Sequence, residues 1–171
     1  MSWPLAYAKQ ARADLIARNR LLERADLPQC HQLHFLQMAC EKLCKAHLCG
    51  SGVDAEVLRR SHAFVESVLP VIVREHLARQ TGQALTNRGW VYRASKQYAR
   101  QIERLAPAVT GGGSVPSNCE YPWTGPEGAV IVPAEHNFRF DFLHERGGRT
   151  LLKIIGAVAD RLIHLHSPQA S

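Results

Sequence analysis

The chain of 171 residues carries nine histidines and five cysteines, and the stretch from Cys30 to Leu48, CHQLHFLQMACEKLCKAHL, holds six of these fourteen. Imidazoles move protons near neutral pH, and together with thiolates they bind zinc. Cys40, Cys44 and His47 follow i, i+4, i+7, so two of them could hold a metal from one helix, with Cys30 or His34 a turn or two away. No C-x-x-C pair accompanies them. On a helix of about 3.6 residues per turn, Leu33, Phe35, Leu36, Ala39, Cys40, Leu43, Cys44, Ala46 and Leu48 cover more than half the circumference. His31, His34, Glu41, Lys42 and Lys45 remain as a narrow wet stripe. A helix so apolar is enclosed by others, and its thiols read as small buried hydrophobes, with no metal site and no cofactor expected.

A second concentration of chemistry is electrostatic. Between Arg74 and Arg104 seven basic residues face two acidic ones, an excess of five within a net charge of +6. On a helix from about Trp90 to Leu105, the residues Val91, Ala94, Tyr98, Ile102 and Leu105 share one face, and Arg93, Lys96, Arg100 and Arg104 line the opposite one. Such a stripe is either a solvated face or a surface for phosphates or an acidic partner. Phosphate contacts of this kind give salt-sensitive affinity without sequence selectivity. Arg88 extends the stripe, Trp90, Tyr92 and Trp123 could stack on bases, and Tyr121 joins Trp123 in the predicted binding set. Gly111-Gly112-Gly113 lacks the following lysine of a phosphate loop and reads as a linker. His62 reads as a capping or packing residue.

These residues need a scaffold, and the periodicity predicts one that is all-α, an up-down bundle of about five helices. Pro4 suits a first helical turn, and apolar residues recur at helical intervals to Arg24. Asp26-Leu27-Pro28 starts the second helix, so the first two are antiparallel neighbours, and Gly50-Ser51-Gly52 ends it. A short turn of helix follows from Asp54 to Arg59. Ser61 is expected to cap a third main helix to about Thr81, with a kink or restart at Pro70. After the basic fourth helix comes a long irregular crossover from Pro107 to Gly148, rich in Gly and Pro, with one β-like run from Ala129 to Val132 that suggests a small hairpin. Its Tyr121, Trp123, Phe138, Phe140 and Phe142 need burial. Thr150 is expected to open the last helix, to about His166.

Length suits a single domain over residues 1–171. A hydrophobic content of 46% and a charged content of 21% argue against disorder. No apolar run is long enough to span a membrane, and the N-terminal MSWPLAYAKQARAD lacks the apolar core of a signal peptide. A soluble, cytoplasmic protein with reduced thiols is expected.

In the central stretch, Gln37, Ala39, Glu41-Lys42, Lys45-Ala46 and Leu48 resemble the second helix of HEPN domains, whose signature reads roughly QQAAEKALKALL. Ser61-His62-Ala63-Phe64 resembles the Thr-His-Asp-Leu that often begins the third helix of that family, with Ala63 in place of the acid. Asn118 to Trp123 is similar to the Arg-Tyr-Pro-Asp turn before its last helix, with Glu120 and Trp123 replacing the charged residues.

The resemblance implies an RNA-associated role, often in toxin-antitoxin or defence systems, with RNA or a cognate protein as partner and a homodimer that forms the site. It also implies metal-independent RNA cleavage by an arginine and a following histidine with four to six residues between them. Arg24 and His31, Arg139 and His144, and Arg161 and His166 have that spacing, and chance supplies about as many such pairs. The first pair straddles a turn, and the third lies roughly 140° apart around a helix. Arg139 and His144, in the crossover, are therefore the predicted catalytic pair. Where the family commonly carries the motif, Asn87 to Arg93 has no histidine. That favours a second class of function, a non-catalytic bundle that engages a protein or nucleotide-processing partner.

Overall fold

The computed structural model describes residues 1–81, 89–107 and 118–168. Helix α1 (Trp3–Leu22) has its proline in the first turn and buries Leu5, Ala8, Ala11 and Leu15. The two alanines let it lie close against α2 (Gln29–Gly50). α2 is central: it buries Leu33, Leu36, Ala39, Cys40, Leu43, Cys44 and Ala46. Each large side chain among these contributes about 1.5–3 kcal/mol by leaving water.

The enclosure goes further than the periodicity suggests. Glu41 and Lys45, expected on the wet stripe, are 3% and 5% exposed. Crowding by neighbouring elements has closed over them, so their pairing is a buried one. Phe35, by contrast, keeps part of its surface in solvent.

Asp54 caps the short helix α3 (Ala55–Arg59), its carboxylate accepting from the Glu56 amide at 2.9 Å. Helix α4 (Val65–Thr81) starts four residues later than Ser61. The reason is tertiary: the buried Glu103 carboxylate of α5 accepts from the Glu66 amide, and a carboxylate at a helix N-terminus also suits the dipole. Pro70 lies inside α4 without restarting it.

Helix α5 (Gly89–Glu103) buries Val91, Tyr98 and Ile102 and packs on α4, α2 and α6. From Asn118 the crossover is ordered by local bonds. The buried Asn118 side chain accepts from the amides of Glu120 and Tyr121 at 3.0 and 2.8 Å. A two-stranded antiparallel hairpin pairs β1 (Trp123–Thr124) with β2 (Val130–Ile131), within the predicted β-like run. Trp123, Phe138, Phe140 and Phe142 enter the core, and Phe142 stacks on Tyr98 at 4.2 Å; Tyr121 stays 60% exposed.

Helix α6 (Arg146–His166) begins four residues before Thr150. Gly147 and Gly148 belong to its first turn because the crossover passes so close. A Cβ on Gly148 would lie 2.0 Å from the Phe142 carbonyl oxygen. An ion pair of 2.7 Å from Arg12 to Asp160 joins α1 to α6.

Candidate functional site

The constellation richest in proton-moving groups is built outward from Glu41. Gln37, Glu41 and Lys45 stand one turn apart along α2, so their side chains can meet. Lys45 Nζ donates to Glu41 Oε1 at 2.7 Å and Gln37 Nε2 to Oε2 at 3.0 Å. Removing an ion pair from water costs several kcal/mol, which close geometry and added hydrogen bonds must offset. Here both are present.

His62, in the segment between α3 and α4, brings its Nδ1 to 3.1 Å from the same Glu41 Oε1. Its side chain is about half exposed, so the pair joins a buried carboxylate to an accessible imidazole. A second pair stands nearby, with His34 Nδ1 3.4 Å from Glu120 Oε1. The Asn118 turn positions Glu120, and α2 positions His34. Both pairs line one cavity of about 410 Å³, together with Gln37, Met38, Ala106, Pro107 and Tyr121. An imidazole held through Nδ1 by a carboxylate leaves Nε2 to exchange a proton with a ligand.

The neighbouring thiols are unsuited to nucleophilic roles. Burial pushes the Cys40 thiol up to about 12. It pushes Cys44 up as well, reinforced by Cys40, Glu103 and Glu41. Cys119 is buried and shifted the same way. All five cysteines are free, and among the described residues no group of three or more His, Cys, Asp or Glu is placed to hold a metal ion.

The basic face of α5 ends beside this cavity, since Arg104 lies two residues before Ala106. Arg93, Lys96, Arg100 and Arg104 are exposed. Arg100 is tied to Glu66 by an ion pair of 2.7 Å, and Lys96 lies 4.8 Å from the centre of the Tyr92 ring. Arg146 of α6 stands over Trp90 at 5.3 Å and adds a cation to this surface. Arg88 lies outside the described residues.

The remaining predicted residues are dispersed. Trp123 is not available for stacking: it is 2% exposed, with its ring against His136 and Phe138. Tyr121 is exposed and lines the cavity. Arg139 and His144 are both exposed, on and after the turn that leads to Phe142. No hydrogen bond or ion pair links their side chains among the described residues, and the His144 carbonyl accepts from Arg149. Sequence reasoning missed His34, His62, Glu120 and Arg146. His34 and Glu41, seven residues apart and so on one helical face, were the available signal.

The fold defines the chain as an all-α bundle, and among its described residues no helix is long and apolar enough to cross a membrane. No protein-family model, curated protein or solved structure matches the chain.

Proposed function

We propose that this chain is an RNA-associated, HEPN-like protein that lays a phosphate backbone along the outer face of α5 and performs metal-independent acid-base chemistry in the adjoining cavity. The observation that carries the reading is the pairing of His62 with Glu41 and of His34 with Glu120 around one cavity at the end of the basic helix. In RNA cleavage one imidazole takes the 2′-hydroxyl proton while the other protonates the departing 5′-oxygen, leaving a cyclic phosphate and a 5′-hydroxyl. Arg93, Lys96 and Arg104 supply affinity without sequence preference. Homodimer formation and a place in a toxin-antitoxin or defence system follow from the HEPN resemblance.

Labelled single-stranded RNA incubated in EDTA tests this directly. Loss of cleavage in His62→Ala and His34→Ala, with Arg139→Ala and His144→Ala unaffected, supports the cavity. The reverse pattern returns the chemistry to the crossover. Binding without cleavage favours the second reading, a non-catalytic bundle with a protein partner. The exposed Val130 and Tyr121 beside the hairpin support that alternative.

A further inference from the structure

A second cavity, of about 300 Å³, opens where the last turns of α2, α4 and α6 meet, and His47, Glu75, Arg79, Arg161 and His166 line it. Cations at helix C-termini complement the partial negative charge of the terminal carbonyls, which explains why basic residues gather here. It does not explain their arrangement. Glu75 is the one carboxylate in the lining. Arg79 already holds it at 3.2 Å, and His47 Nε2 stands 4.0 Å away. The Nε of Arg161 is buried and has no acceptor. A buried donor left unsatisfied is costly, and more so on a charged group.

The cations also crowd one another. Burial lowers the Arg161 pKa and Arg79 lowers it further, with Glu75 opposing them in part. Burial likewise holds His47 below its ordinary range; Glu75 opposes this, and Arg161 and Arg79 add to it. An anion seated among these groups would neutralise the crowding, with Arg161 in the cavity wall beside its orphaned Nε. The Ser51 hydroxyl is already used, donating to the His47 carbonyl at 3.0 Å. Gly50 shapes the rim: a Cβ there would meet His166 Nε2 at 3.2 Å, so glycine allows the imidazole to lie across the end of α2.

We propose that this cavity binds a single phosphate group, free or as the terminal monoester of a small molecule, with Arg161 and Arg79 as its principal donors. Guanidinium groups match the oxygens of a phosphate in pairs. The cavity volume is at the lower end of the roughly 300–1,000 Å³ typical of small-ligand sites. The site is distinct from the Glu41 cavity and does not depend on the RNA reading.

Calorimetric titration of the full chain with inorganic phosphate, and separately with ribose 5-phosphate, tests the proposal, with sodium chloride at matched ionic strength as reference. Saturable binding of at least one phosphate probe is expected, stronger for the monoester if that is the natural source. Arg161→Gln and Arg79→Gln each weaken it roughly tenfold with unchanged circular dichroism. Should Arg161→Gln not fold, Arg161→Lys, which keeps the charge and loses the fork, is expected to show the same direction. Absence of saturable binding to either probe, an equal signal from chloride, or undiminished affinity in the folded arginine variants overturns the proposal.

Discussion

The cavity beside the middle of α2 and the cavity at its C-terminal end are both lined by two histidines, yet their electrostatics are opposite. In the first, each imidazole stands against a carboxylate, and the buried Glu41 is already balanced by Lys45 from the same helix. In the second, two guanidinium groups from neighbouring helices share the lining with one carboxylate, and burial lowers the His47 pKa. The first is suited to transferring protons and the second to holding an anion. What separates them is the source of the long charged side chains. Glu41 and Glu75 are each paired one turn along their own helix, with Lys45 and Arg79, and the second cavity receives Arg161 from α6 as a further cation.

The largest effect that could break this comparison is on stability. Lys45→Met leaves the buried Glu41 without its lysine partner, and a loss of about 3–5 kcal/mol is expected in urea denaturation. Glu41→Leu combined with Lys45→Met recovers most of that loss. A single-variant cost near zero would mean that the first cavity is not organised by its ion pair. Next in size, His62→Ala is expected to lower RNA cleavage by about a hundredfold or more while the salt dependence of RNA binding is retained.

A smaller effect distinguishes the second cavity by pH. The folded state depresses the His47 pKa, so its contribution to stability is fully present above the unfolded value of about 6.5 and is lost as pH falls through the lower folded value. His47→Gln is expected to flatten that part of the stability profile, measured by denaturation across the range. Saturating phosphate is expected to offset the acid loss in the unmodified chain. The smallest effect is that of Arg79→Ala in the absence of ligand, within about 1 kcal/mol in the same assay, because the Arg79–Glu75 pair is largely solvated.

The helices were legible because their signal is periodic. The face of Val91, Tyr98 and Ile102, the enclosure of α2 and the hairpin near Val130 all follow from local pattern. The start of α4 was not legible, since its cap is Glu103 from another helix. Gly147 and Gly148 suggest a turn until the Phe142 carbonyl is seen to occupy the space of a side chain. The candidate site was less legible than the fold. His62 meets Glu41 from outside α2, and Glu120 reaches His34 only because the crossover folds back. Arg161 and His166 diverge around α6, yet the cavity is wide enough for both to line it.

The uneven burial of the thiols has a practical consequence. Cys30, Cys40, Cys44 and Cys119 are buried and Cys49 is partly open, so a maleimide dye applied briefly is expected to mark the native chain at Cys49 alone. A denatured chain offers all five cysteines. The mass distribution after such a pulse therefore counts native and unfolded molecules separately. The singly tagged species also carries its fluorophore two residues from His47, at the rim of the cavity proposed to hold phosphate.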